Sequence, residues 1–293
     1  MERREFVSIA AGLAATPVVG RAAFGALRND TVPAPHAPRR TQGPTLTPET
    51  FAKRIERLQA ELKTRKVEMF VAEPSTNFQY FTGYNPGRSE RLILLMVPVS
   101  GAPVLVCPAF EIERMKRNAA VTDVRGWEEQ QDPWKLVKKA GQEMKPAHRN
   151  GSVAVEASTS YQSFLNLEDQ LSGWKFSNGA AVTERLRINK SPEKNSLISE
   201  AIAATEASIA AAFAQLAVGM TERDVATLLS REMASRGSPG GGLVQFGPSS
   251  ALPHGGPSAG ALQRETVVLI DAGSRVQGYT SDITRTIWFG DAP

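Results

Sequence analysis

Two aspartates lie inside apolar, strand-like stretches among the last thirty residues of the sequence. Asp271 stands near the end of residues 267–273, and Asp282 stands within residues 278–286. Aspartate is disfavoured in β-strands, so its presence in two neighbouring strands points to a chemical role. If the stretches form a hairpin centred between residues 276 and 277, the acids face each other, and their carboxylates repel unless a cation lies between them. Two divalent ions about 3.5 to 4 Å apart suit such a pair of acids.

Thr284 follows Asp282 by two residues and therefore shares its face of the predicted strand. Its hydroxyl is placed to support a metal-binding acid. The structural alternative is that the acids serve only the turn and form surface ion pairs with Arg275 or Arg285. The residues alone leave both interpretations open.

Two helices are predicted before the hairpin. Pro192 opens the first, whose apolar positions keep one face for about seven turns until Gly219 ends it. Thr221 and Asp224 predict a capping box at the start of the second. We expect the alanine-rich face of the first helix to lie on a sheet, and residues 239–242 to form a flexible loop without a chemical role.

Residues 49–182 alternate strand and helix patterns, which predicts an α/β domain of stacked layers. Residues 73–88 within it are rich in turn-forming residues. The single cysteine, Cys107, excludes an internal disulfide, and we expect it to pack as a small buried hydrophobe. The predicted strands cover residues 69–72, 92–99, 104–107, 153–156 and 174–177, and the predicted helices begin at residues 48, 111, 133 and 161.

The overall composition is that of a globular protein. With 41% hydrophobic and 22% charged residues, the chain is neither collagen-like, wholly disordered nor a multi-span membrane protein. Most of the net charge of +4 comes from residues 1–48, which hold six arginines and three acids. The rest of the chain shows no pattern of a nucleic-acid surface, so we expect no nucleic-acid partner.

The N-terminal segment has the features of an export signal. The pair Arg3–Arg4 precedes a short apolar stretch, and residues 1–26 resemble a twin-arginine signal, which predicts a periplasmic or otherwise exported protein without stable membrane insertion. The alternative is a frayed N-terminal helix. Residues 27–48 are rich in proline and predict an extended linker, so we expect no function from His36 within it.

Four separated parts of the sequence resemble the Xaa-Pro aminopeptidase and prolidase family of M24 metallopeptidases. They occur in the family's order and extend from about residue 49 to the end. The resemblance implies an α/β creatinase-type N-terminal domain over residues 49–182, followed from residue 186 by an α+β pita-bread domain. The matching parts are residues 77–84, residues 186–193 together with 219–222, residues 250–255 and residues 269–286.

The same resemblance implies a set of roles. Asp271 matches the acid that chelates one metal ion, Asp282 matches the acid that bridges two, and His254 matches the histidine that contacts substrate near the scissile bond. The cofactor implied is a pair of divalent ions, manganese first, with cobalt or zinc as alternatives. The implied reaction is hydrolysis of the Xaa-Pro bond of a proline-containing peptide, and the family's habit of pairing through its N-terminal domain implies a homodimer.

The sequence departs from the family pattern in one respect. The family's ligand set continues with a histidine and two glutamates downstream of the hairpin, whereas the sequence stops at Pro293. We therefore expect an incomplete pita-bread domain with an unpaired edge, inactive on its own. Two other functions are considered: a non-catalytic module that binds peptides or proteins, and a creatinase-like hydrolase that works through the histidine without metal. Retention of both acids disfavours each of them.

Overall fold

A computed structural model describes residues 45–144, 151–253 and 260–291. The predicted signal lies outside them, as does most of the predicted linker, whose last residue already belongs to a helix. The described residues all belong to one compact unit. The described helices are α1 (Pro48–Arg65), α2 (Thr76–Thr82), α3 (Ile112–Asn118), α4 (Pro133–Glu143), α5 (Tyr161–Gln170), α6 (Ala180–Arg187), α7 (Pro192–Ala214) and α8 (Glu222–Ser235). The described strands are β1 (Met69–Ala72), β2 (Leu94–Pro98), β3 (Val104–Pro108), β4 (Asp123–Trp127), β5 (Ser152–Val155), β6 (Lys175–Asn178), β7 (Gly240–Phe246), β8 (Thr266–Val276), β9 (Tyr279–Thr280) and β10 (Ile283–Phe289).

Strands β1 to β6 form a mixed sheet in the order β4-β3-β2-β1-β5-β6. The central strands β1, β2 and β3 are buried along their whole length, as expected for strands covered on both faces. Leu58 and Leu62 of α1 pack in the core on one face, and Val137 of α4 and Leu167 of α5 pack in the core on the other. The predicted α/β layer architecture of this part of the chain is confirmed.

Cys107 lies in β3 with no exposed surface, as the sequence predicted. Burial away from water raises the pKa of its thiol to about 12, because a thiolate is poorly solvated there. The thiol therefore stays protonated and unreactive at neutral pH.

The second sheet has the order β10-β8-β7, and β9 extends the pairing of β8 toward the turn. Helices α7 and α8 pack on one face of it through a core that includes Ile209, Leu229 and Ile270. The capping box predicted for α8 is present: the amide of Asp224 donates to Oγ1 of Thr221 at 3.1 Å, and the amide of Thr221 donates to Oδ2 of Asp224 at 2.8 Å.

The long helix α7 is apolar and long enough to cross a membrane by length and composition alone. In this fold one of its faces is buried, and it packs against β8. The face that contacts the sheet side includes Ala201, Thr205, Ser208 and Ala212, all of them small. Small side chains let the helix lie close to the strand, as predicted from the alanine-rich stripe.

Residues 239–242 are not the flexible loop that their composition predicted. Residues 240–242 begin β7, which pairs with β8. A Cβ atom at Gly240 would lie 2.1 Å from the carbonyl oxygen of Gly273, and one at Gly242 would lie 2.5 Å from that of Asp271. Glycine is therefore required here by the close approach of two strands.

Two helices were not predicted. Helix α2 lies within the turn-rich residues 73–88, where Ser75 caps it by accepting from the amide of Phe78 at 3.1 Å. Helix α6 carries Val182 and Leu186 into the core of the first sheet. Packing against the first sheet thus continues past residue 182 as far as Leu186.

Candidate metal site on the second sheet

The hairpin that carries the two acids turns at Gln277 and Gly278. Their φ angles are 47° and 87°, the left-handed values that a tight two-residue hairpin turn requires at both positions. Val276 pairs with Tyr279, and Asp271 pairs with Thr284. The hairpin is therefore centred between residues 277 and 278, and the expected centre between residues 276 and 277 is wrong by one residue. The two residues with left-handed backbone fix the position of the turn, whereas the spacing of the acids does not.

The corrected register separates the acids. Thr284 lies directly opposite Asp271, and the same register carried back two residues makes Asp282 the diagonal neighbour of Asp271. Diagonal neighbours are about 7 to 8 Å apart, against about 5 Å for opposed residues. Repulsion between the carboxylates is weaker in this arrangement, and space for ions remains between them.

All three predicted side chains of this group lie on the face of the sheet that is turned away from α7 and α8. In β8 the alternate residues Ile270 and Ala272 are buried on the helix side, and Asp271 between them is half-buried on the other side. Asp282 and Thr284 are exposed on that same open face. The open face can therefore receive ions and substrate without disturbing the core.

Thr284 contacts Asp271 directly through its side chain. Its hydroxyl donates to Oδ1 of Asp271 over 2.6 Å, a length typical of a hydroxyl bound to a carboxylate. The bond holds the Asp271 side chain in one orientation and leaves Oδ2 available to another partner.

The strand that carries Asp282 is interrupted beside it. Between β9 and β10 the amide of Ser281 donates to the carbonyl of Ser274 at 3.1 Å, but the amide of Ser274 donates to the Oγ of Ser281 at 3.0 Å. A side-chain oxygen thus replaces a backbone acceptor. A Cβ atom at Gly273 would lie 2.3 Å from the carbonyl oxygen of Ser281, so this break also depends on glycine in the facing strand.

A buried network of hydroxyl groups holds the break from the helix side. Oγ1 of Thr205 in α7 lies 2.8 Å from Oγ of Ser274 and 2.7 Å from Oγ of Ser281, and Ser238 donates to Ser274 at 2.8 Å. All four residues are buried. The sequence pattern did not predict this network. Its available signal is that Ser274 and Ser281 occupy core-facing strand positions where an apolar residue is expected.

The ion pairs offered as the structural alternative are absent among the described residues. Arg285 lies on the helix side of β10 and pairs with Glu206 of α7 at 2.8 Å. Neither Asp271 nor Asp282 forms an ion pair with any residue in the part of the chain that the structure describes. Two acids on one face without a neutralising cation fit the donor chemistry of a hard divalent ion.

Two carboxylates do not complete the coordination of a metal pair. Within residues 45–144, 151–253 and 260–291 no group of three His, Cys, Asp or Glu side chains is placed to hold an ion. All three histidines of the chain, including His254, lie outside these ranges. Any dinuclear centre on this face therefore takes its further ligands from outside the described residues.

Comparison with known proteins follows the same division of the chain. A model of the creatinase/prolidase N-terminal domain matches residues 54–189, and a model of metallopeptidase family M24 matches residues 196–293. The chain is 30% identical to an Xaa-Pro dipeptidase of Lactobacillus helveticus over 227 residues, and 27% identical to an Xaa-Pro dipeptidase of Lactobacillus delbrueckii subsp. lactis over 242 residues. These alignments cover 75% and 81% of the chain, which spans 61% and 66% of the two relatives.

Solved structures show the same fold. The dipeptidase PepE from Mycobacterium ulcerans superimposes with a TM-score of 0.73 at 29% identity, covering 85% of this chain and 67% of that protein. A prolidase from Thermococcus sibiricus superimposes with a TM-score of 0.75, covering 85% of this chain and 68% of that one. Its sequence identity is 23%, so this similarity supports the fold only.

Proposed function

The chain belongs to metallopeptidase family M24, and from that premise we propose that the protein hydrolyses the peptide bond before proline, using two divalent metal ions held in part by Asp271 and Asp282. The single observation that carries the proposal is the open sheet face on which these acids lie together without a neutralising cation, inside the segment that matches the family. The relatives named above are Xaa-Pro dipeptidases, which favours dipeptides over longer substrates.

Each described residue has a distinct task in this proposal. Asp271 and Asp282 supply oxygen ligands, and Thr284 fixes the orientation of Asp271 through Oδ1 while leaving Oδ2 for an ion. The break at Ser281 sets the backbone from which Asp282 projects. When bound, the ions supply a water of lowered pKa and polarise the scissile carbonyl. Manganese suits such an oxygen-rich site, with cobalt or zinc as alternatives.

His254 is proposed to contact the substrate near the scissile bond. The support is its place in the sequence, between a proline and two glycines and before the hairpin, in a part of the chain outside the described residues. Replacing His254 by Gln should lower kcat while leaving the bound metal unchanged, which separates its role from that of a ligand.

Two further properties are proposed from the sequence. The Arg3–Arg4 segment directs export, and changing both arginines to lysine should retain the protein in the cytoplasm in a fractionation experiment. The proposed homodimer predicts twice the chain mass in sedimentation analysis of the purified protein.

The central test uses the full-length protein with Asp271→Asn and Asp282→Asn. Each variant should lose tightly bound metal and nearly all hydrolysis of an Ala-Pro dipeptide, because an amide oxygen is a neutral and weaker ligand. Asp169→Asn, on the exposed surface of α5, serves as the matched control and should behave like the wild type. Full activity after removal of all metal would overturn the proposal and favour the creatinase-like alternative, and tight peptide binding without any hydrolysis would favour the binding module.

A further inference from the structure

A cavity of about 710 Å³ lies between the first sheet's helices and the turn of the hairpin. It is separate from the candidate metal site, since neither Asp271 nor Asp282 lines it. Helix α1, the loop before α7, the first turns of α7 and residues 277–280 contribute to its walls. The proposed peptidase chemistry uses none of these residues.

The walls carry a strong positive charge. Six cationic side chains and no Asp or Glu line the cavity among the described residues: Arg54, Lys116, Arg117, Arg187, Lys190 and Lys194. Within the same part of the chain, Arg54, Arg187, Lys190 and Lys194 form no ion pair with any acid. The electrostatic potential inside the cavity is therefore positive with little internal compensation.

Two of these cations are almost completely removed from water. Arg54 is 6% exposed and Lys194 is 5% exposed. Burying a charge without an opposite charge is costly, and such groups are normally paired. The pKa of Lys194 is lowered to about 8, first by burial and then by repulsion from Arg54 and the neighbouring cations.

The protein supplies only partial compensation, through the rings of Phe51 and Tyr80 and through neutral hydrogen-bond acceptors. Arg54 lies 4.4 Å from the ring centre of Tyr80, and Lys194 lies 4.7 Å from it. Arg54 also donates to the carbonyl oxygen of Tyr80 at 2.8 Å and to the hydroxyl of Tyr279 at 3.0 Å. These contacts fix the cations in place, but they bring no negative charge to balance them.

We propose that this cavity binds a small molecule that carries a phosphate group. A multiply charged tetrahedral anion matches a site in which guanidinium groups and ammonium groups converge, since the planar guanidinium binds phosphate oxygens in pairs. Phe51 and Ile198 add apolar surface beside the cations, which suits an organic group attached to the phosphate. The anion would connect α1 of the first domain with α7 and the hairpin of the second.

The probe for the test is inorganic phosphate, added to metal-free full-length protein, with sodium chloride at equal ionic strength as reference. Phosphate should raise the Tm by several degrees more than chloride does. In calorimetry, Lys194→Gln should raise the Kd for phosphate at least tenfold. Lys190→Gln changes an exposed side chain, so it leaves the core intact, and it should raise this Kd several-fold. Lys138→Gln, on the exposed surface of α4, is the matched control and should bind as the wild type does.

Two results would overturn the proposal. One is a Tm shift no larger in phosphate than in chloride, and the other is an equal response in all three variants, which would indicate a general salt effect. Asp282→Asn separates this site from the metal site, because it should abolish peptidase activity yet keep the phosphate response.

Discussion

Thr284 and Asp271 face each other across the β8–β10 pair, joined by a 2.6 Å bond from the threonine hydroxyl to a carboxylate oxygen. The strand register brings the two residues together, since they are thirteen positions apart in the sequence with a tight turn between them. The bond gives the acid a fixed orientation, which the proposed metal site would use. Partners of this kind commonly affect metal affinity almost as strongly as the ligands themselves.

Thr284→Val should leave the fold intact and weaken metal binding by about 10- to 100-fold, because the isosteric side chain cannot donate to Asp271. Calorimetric titration of the metal into the full-length protein measures this. Thr284→Ser restores the hydroxyl and should recover most of the affinity. Equal affinity in the valine variant and the wild type would show that the bond has no part in metal binding.

Gly273→Ala should destabilise the protein by roughly 1 to 3 kcal/mol, because the added Cβ would lie 2.3 Å from the carbonyl oxygen of Ser281 and force the strands apart. Gly241→Ala in the facing strand is the matched control, since its Cβ meets only the movable hydroxyl of Ser230 at 3.1 Å. Urea denaturation compares the two. A larger loss in the control would contradict the proposed close approach at the break.

Thr205→Val should cost about 1 to 3 kcal/mol of stability, because the buried hydroxyls of Ser274 and Ser281 each lose a partner at 2.8 and 2.7 Å. Thr64→Val removes a comparable hydroxyl on the exposed side of α1, where it donates to the carbonyl oxygen of Ala60, and should change stability little. If the two variants unfold at the same urea concentration, the buried network contributes nothing.

Lys194→Met should stabilise the anion-free protein at pH 7 by roughly 1 to 3 kcal/mol. The pKa of Lys194 is about 8 in the folded protein and 10.5 as its ordinary value, so its charge is disfavoured by folding. That penalty is fully present below pH 8 and disappears as the pH rises toward 10.5. The advantage of the variant should therefore shrink between pH 8 and pH 10.

The measurement is the difference in free energy of unfolding between Lys194→Met and the wild type at each pH. The cavity's other ionisable groups are the same in both proteins, as are Arg57 and Glu193 beside Lys194, so their own titration largely cancels in this difference. The lining groups concerned are Arg54, Tyr80, Lys116, Arg117, Arg187, Lys190 and Tyr279. Lys138→Met supplies the control for loss of an exposed lysine. A difference that stays constant with pH would argue against a penalty from the buried charge.

The family and the fold class could be predicted from the sequence, and both are confirmed. Local signals sufficed where the determinants are close in the chain, as in the capping box of Thr221 and Asp224. They failed where the partner is distant. The glycines of residues 239–242 have the composition of a loop, and only the close approach of β8 explains them. The register of the acids depends on the left-handed backbone of Gln277, a conformation that its residue type does not predict.

The buried hydroxyls show the same limit. Thr205 and Ser281 are 76 residues apart, and only the packing of α7 on the sheet brings them together. The cations of the basic cavity likewise come from α1, α3, α6, α7 and the loop before α7, and none of these segments is unusually basic by itself. The single lysine that becomes buried among them cannot be recognised from its neighbours in the sequence.

The turn of the hairpin is held by α1 and by the residues just before it: Arg54 of α1 donates to the hydroxyl of Tyr279, and the amide of Leu46 donates to Oε1 of Gln277 at 2.8 Å. Although two family models divide the chain, unfolding of the first domain would release the end of the strand pair that presents the acids. Amide hydrogen exchange in β9 should then follow the opening of α1 more closely than that of α8. The candidate active site would thus depend on the cooperative stability of both domains.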